Sequence, residues 1–98
     1  MIAERVRDYE VVLVLSPEVT EDEMSATIQK IEEVISVGGG DVVEKETWGL
    51  KKLSYQINGF KEGNYVLVKF SLNSAGVAEL NASLNMREDV IRFLVTRT

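Results

Sequence analysis

Hydrophobic and polar positions change their period several times along this chain. From Tyr9 to Leu15 (YEVVLVL) nearly every position is apolar. A strand reads this way when both of its faces are covered, as at the centre of a sheet. Ser16-Pro17 ends the run. The period then lengthens. Met24, Ile28, Ile31 and Ile35 follow at spacings of four, three and four, which places them on one face of a helix. Thr20 and Glu23 form a capping box at its start, and Glu21, Asp22 and Glu23 complement the helix dipole. Gly38-Gly39-Gly40 ends the helix, and Asp41 to Glu46 begins the next strand.

The longest patterned stretch is Trp48 to Phe70, WGLKKLSYQINGFKEGNYVLVKF, two alternating halves that predict a long β-hairpin. Leu53, Tyr55 and Ile57 share one face of the first half; Lys52, Ser54 and Gln56 share the other. Trp48 and Leu50 sit out of phase with them, so a β-bulge is expected near Lys51-Lys52. Val66, Val68, Phe70 and Leu72 line one face of the second half, while Tyr65 and Leu67 make the other partly apolar. Turn residues run from Asn58-Gly59 to Gly63-Asn64, with Phe60, Lys61 and Glu62 between them. Asn73 or Ser74 then caps a second helix with the stripe Val77, Leu80 and Leu84, in which Gly76 costs about 1 kcal/mol relative to Ala. Asn85 stops it, and Val90 to Thr96 is the last strand.

Strand, helix, strand, strand, helix, strand is the split βαβ, ferredoxin-like plan, an α+β fold. Right-handed crossovers order the sheet 2-3-1-4, with both helices on one face and the other face left for solvent or a partner. Residues 1–98 are expected to form one domain, with residues 1–8 as a polar lead.

Composition narrows the chemistry. No apolar run approaches a membrane span, and MIAERVRDYE has no signal-peptide core. The absence of cysteine fits a cytosolic protein and excludes a disulfide frame. The absence of histidine removes the commonest general base, the Ser-His-Asp and Cys-His arrangements, and the usual zinc sites. The formal charge of -5 opposes nucleic-acid binding by net charge alone. Charge is segregated, however. Glu18, Glu21, Asp22, Glu23, Glu32 and Glu33 against Lys30 make the first helix the acidic back of the molecule. Lys51, Lys52, Lys61 and Lys69 against Glu62 make the hairpin basic, either as a solvated sheet edge or as a binding surface.

The paired acids lie on an exposed helix rather than in a loop, so no metal site is expected. The glycine triplet follows a helix and lacks a Gly-Lys-Ser/Thr, so it is no phosphate cradle. Trp48, Tyr55, Phe60 and Tyr65 serve either base stacking or core and interface packing. Arg5, Arg7, Arg87, Arg92 and Arg97 cluster in the terminal segments, whose strands should be neighbours. They form either one patch or scattered solubilising charge.

Taken together, these residues resemble the bacterial small-subunit ribosomal protein six family over nearly the whole chain. The match runs through Arg7, Tyr9-Glu10, Gly49-Leu50-Lys51-Lys52-Leu53, Tyr55, Ile57, Gly63, Tyr65, Arg87, Val90, Arg92 and Arg97. Its specific part is Gly-Leu-basic-basic-Leu-x-Tyr-x-Ile before a Gly-x-Tyr. The resemblance implies a cytoplasmic, ribosome-associated, non-enzymatic structural protein without cofactor or small-molecule substrate. Such a protein pairs with small-subunit protein eighteen and binds the central domain of small-subunit rRNA. Carried over, the RNA-side residues are Arg7, Arg87, Arg92 and Arg97, with the basic pair Lys51 and Lys52; the partner-facing candidates are Trp48, Leu50, Tyr55 and Tyr65. Asp8 departs from the pattern, standing where a second basic residue often precedes the tyrosine. The lead Met1 to Val6 is longer than usual, and the chain stops at Thr98 without the tail of some relatives.

Two rivals share the topology. An ACT-type small-molecule sensor or protein-interaction domain needs a glycine-containing loop after the first strand, where this chain has Ser16-Pro17-Glu18. An acylphosphatase-type enzyme needs an arginine there, and none lies between Asp8 and Met86.

Overall fold

In chain order the elements are β1 (Arg7–Leu15), α1 (Glu21–Val37), β2 (Asp41–Ile57), β3 (Phe60–Leu72), α2 (Ser74–Asn85) and β4 (Val90–Arg97). They come from a computed structural model that describes residues 6–57 and 59–98. The four strands form one antiparallel sheet in the order β2-β3-β1-β4. Ile31 and Ile35 of α1 and Leu80 and Leu84 of α2 join one core with Val11, Leu13, Leu15, Val66, Val68, Phe70 and Leu72. Both helices therefore cover the same face of a ferredoxin-like βαββαβ sheet, as expected.

Local chemistry sets the helix ends. The Thr20 side chain accepts from the Glu23 N–H, and the Glu23 carboxylate accepts from the Thr20 N–H. Asn73 is the second cap; its Oδ1 accepts the Gly76 N–H at 2.7 Å. Gly76 has a packing reason: a Cβ there would lie 2.6 Å from the Leu72 side chain.

Three expectations are corrected. β1 begins at Arg7 rather than Tyr9, because Arg7 and Asp8 pair with Leu72 and Ser71 although their side chains are polar. The buried line of α1 is Thr27, Ile31 and Ile35, and Ile28 is only half-buried at its margin. The turn is tighter than expected: Ile57 pairs with Phe60, so Phe60 to Asn64 belong to β3. Asn58 itself, like Arg5 and most of the lead Met1 to Val6, lies outside the described residues. The register of β2 against β3 shifts directly after Lys52, between Lys52 and Ile57, beside the expected bulge, and at two further places, Val42/Glu44 and Thr47/Gly49. The Thr47/Gly49 shift falls on Trp48-Gly49, where Gly49 has φ +83, a backbone that glycine adopts without steric cost.

Candidate functional site

The uncovered face of the sheet carries the residues of interest. Side chains directly opposed across antiparallel strands share a face. Arg92, Val14, Tyr65 and Gly49 stand in one row across all four strands. Trp48, at the bulge beside Gly49, stacks on Tyr65 with ring centroids 6.4 Å apart and planes 15° apart. Lys51 Nζ lies 5.4 Å from the Trp48 ring, within cation–π range. The Arg92 guanidinium donates to the Tyr55 hydroxyl at 3.1 Å. Tyr55 belongs to one edge strand and Arg92 to the other. The register shifts of β2 bring them together, since each extra residue bends and twists the strand that carries it.

The arm of β2 that carries Tyr55 thus reaches across the sheet, on a face where Val14 and Leu67 are buried although no helix covers them. Trp48 (43% exposed), Tyr55 (63%) and Leu94 (59%) remain open around it. Exposed aromatics flanked by an arginine and a lysine form a surface that can pack against a protein, stack on bases or meet phosphates. A shallow depression of about 200 Å³ lies between Val12, Val14, Tyr65, Arg92, Phe93 and Leu94.

The arginines do not join into one patch. Arg97 pairs with Tyr9, and Arg7 lies two residues along the same face of β1, so these two sit at one end of the sheet on the helix-side face. Arg92 stands opposite Val14, seven residues along β1 from Arg7, roughly 23 Å at the rise of a strand. Lys51 and Lys52 are consecutive in β2 and so face opposite sides; Lys52 is opposite Glu62. Leu50 is exposed on β2, on the opposite side of the strand from Lys51.

Arg87 is somewhere else again. In the turn between α2 and β4, its Nε donates to Asp89 Oδ1 at 3.1 Å and its terminal nitrogen donates to Thr27 Oγ1 at 3.2 Å. Thr27 is fully buried and hydrogen-bonds the Asp89 carboxylate as well as the Glu23 carbonyl. Burial pushes the Asp89 pKa up, but the Thr27 hydrogen bond and the Arg87 hydrogen bond and charge outweigh it, leaving the carboxyl below its usual range. The Asp89 carbonyl accepts the Ser16 N–H at 2.8 Å. Sequence reasoning missed this cluster. The spacing of four through Thr27, Ile31 and Ile35 was its only signal, and a threonine does not read as core.

A ferredoxin-like domain whose uncovered sheet face presents aromatics beside cations belongs to the class that meets another macromolecule rather than transforming a small one. The family profile described as Ribosomal protein S6 matches residues 8–97. The small ribosomal subunit protein bS6 of Desulforamulus reducens is 36% identical over 93% of this chain and 96% of its own length. That of Moorella thermoacetica is 38% identical over 93% of each. The crystal structure of 30S ribosomal protein S6 from Thermotoga maritima superposes with a TM-score of 0.89 at 25% identity, covering 96% of this chain and 89% of that one. The chain belongs to the ribosomal protein S6 family, structural proteins of the small ribosomal subunit and not enzymes. Its place is the ribosome of the bacterial cytoplasm.

Proposed function

We propose that this chain binds the central domain of small-subunit rRNA jointly with small-subunit ribosomal protein eighteen, and that the uncovered sheet face is where it does so. The observation that carries this reading is the arm of β2 folded over that face. It sets Trp48, Tyr65 and Tyr55 beside Lys51 and Arg92 within one surface. Trp48, Tyr55 and Tyr65 serve the partner protein, because apolar and aromatic groups give a protein interface most of its affinity; Leu50, on the other side of β2, stands outside this surface. Arg92 and Lys51 at the edge of the aromatic cluster meet phosphate, and Arg7 with Arg97 forms a second cationic point at the far end of the sheet, on its other face beside Tyr9. Lys52 faces away from the cluster and has the weakest claim.

Affinity for RNA follows the number of phosphates neutralised. With so few cations and a formal charge of -5, the chain alone should bind RNA weakly, and a basic partner should supply most of the neutralisation. Titrating an rRNA central-domain fragment with this chain, with the partner, and with both tests the reading. Binding should be tight only with both. Tight binding by this chain alone would sink it. So would an unchanged ternary complex after Arg92 and Arg97 are both replaced by Ala, since each lost phosphate contact flattens the salt slope by about one unit.

A further inference from the structure

We propose that Thr27, Arg87 and Asp89 form a latch that positions Arg92 on the uncovered face, and that Arg87 acts as part of this latch rather than as a phosphate contact. The proposal rests on the binding role given above to Arg92.

The argument starts from register. Along most of β4 the pairing with β1 is regular, from Tyr9 opposite Arg97 to Val14 opposite Arg92. One step later Leu15 is opposite Val90 rather than Ile91, so Ile91 is an extra residue. The Ser16 N–H then bonds to the Asp89 carbonyl, continuing the shifted register past the end of the strand. Something must hold Asp89 at that position, because a bulge leaves a residue unpaired and is kept only where surrounding contacts require it. The latch supplies those contacts. Thr27 fixes the Asp89 carboxylate from α1, and Arg87 closes the triangle to both.

The consequence falls on Arg92, three residues downstream. A strand that moves by one residue turns every side chain to the other face. If β4 continued the Ser16–Asp89 pairing without the bulge, Arg92 would stand opposite Leu13 and point toward the helices. With Asp89 anchored and Ile91 absorbing the mismatch, Arg92 stands opposite Val14 on the uncovered face and reaches Tyr55. The guanidinium of Arg87, by contrast, directs its Nε and one terminal nitrogen at Asp89 and a buried hydroxyl.

The test uses Thr27→Val, which removes no charge, with Thr27→Ser as the conservative control that keeps the hydroxyl. The full-length chain is assayed with rRNA fragment and partner protein at a temperature where circular dichroism shows each variant folded. Thr27→Val should flatten the salt slope by about one unit, as Arg92→Gln does, and the double variant should flatten it no further. Thr27→Ser should restore the wild-type slope. Arg87→Gln added to Thr27→Val should change the slope no more. A folded Thr27→Val with the wild-type slope would overturn the positioning role. A further loss of one unit from Arg87→Gln in that background would show Arg87 touching phosphate and overturn its assignment. If wild-type protein fails to bind at all, the functional reading is at fault. The latch is then judged by NMR on the free protein: amide exchange at Ser16 should accelerate and the Arg92–Tyr55 contact should vanish in Thr27→Val. Their persistence overturns it.

Discussion

Replacing Ile31 with Ala tests whether α1 is the principal cover of the sheet. Ile31 is 2% exposed and packed into the core shared by both helices and the two inner strands, β1 and β3. The change removes three carbons, about 2.4 kcal/mol of transfer free energy at about 0.8 kcal/mol each. A residual cavity of roughly 50 Å³ adds about 1 kcal/mol. The expected cost is about 3.5 kcal/mol, a large part of the roughly 5–15 kcal/mol that stabilises a domain of this size. Urea unfolding followed by Trp48 fluorescence suits the measurement. Trp48 is the sole tryptophan and lies on the opposite face of the sheet from α1, so it reports the global transition. The urea midpoint should fall with the slope unchanged, and the thermal midpoint should drop by roughly 15–25 °C. Ile28→Ala is the internal control. Ile28 is half-buried, so its truncation should cost about half as much. An Ile31→Ala cost below about 1 kcal/mol, or a larger loss for Ile28 than for Ile31, would refute the packing argument.

Asp89 has a folded pKa below its ordinary value of 3.8, so its ionised form contributes stability that is fully present above that pH and is lost as pH falls below it. The stability difference between wild type and Asp89→Asn, measured by urea midpoints across the acid range, should shrink below about pH 3.8; a difference constant with pH would contradict the linkage. Gly63→Ala would place a Cβ 2.4 Å from Val14 Cγ1 and 3.1 Å from the Leu15 carbonyl, and should cost about 1–3 kcal/mol in the same unfolding assay. Trp48→Ala should leave the thermal midpoint within a few degrees, because the ring is 43% exposed, yet it should weaken the partner-dependent rRNA complex at least tenfold in the titration; equal binding would remove Trp48 from the interface.

Element order, the Ile31–Ile35 and Leu80–Leu84 parts of the two helix stripes and the central place of β1 were legible because burial imposes a period and the periods are long here. Tyr9 to Leu15 has no polar face to give to water, and only a central strand accommodates that. What sequence could not give was anything set by the meeting of distant segments. Thr27 is buried because Asp89 and Arg87, some sixty positions away in the chain, satisfy its hydroxyl. A hydroxyl without such partners would resist burial. Likewise, adjacency of β1 and β4 in the sheet did place Arg7 near Arg97, but pairing register put Arg92 far along the strand and the latch drew Arg87 toward α1. Proximity of strands does not make proximity of side chains. The resemblance supplied residue identities for an RNA surface, and only the register distributes them among three places.

That distribution bears on how an acidic chain can meet RNA at all. The carboxylates of α1 lie on the opposite side of the sheet from Arg92 and Lys51, while Glu10, Glu44 and Glu46 share the uncovered face, Glu44 in an ion pair with Lys69. The acidic side chains on the outer surface of α1 stand at least one helix diameter, about 10 Å, beyond the sheet. Screening at physiological salt acts over about 8 Å. Phosphates docked against Arg92 and Lys51 would therefore feel the local cations strongly and the acidic helix weakly. At low ionic strength, where the screening length grows to about 30 Å, however, the charge of -5 acts as one repulsive body. The local cations thus permit contact without promoting encounter. On this argument the chain gains little from meeting RNA alone and much from arriving already joined to a basic protein. Joining would cover Trp48 and Tyr55 while changing the sign of the combined surface. Association rates should show the difference. The preformed pair should bind faster as salt is lowered, whereas this chain by itself should bind more slowly, because lower salt lengthens the reach of its own repulsion.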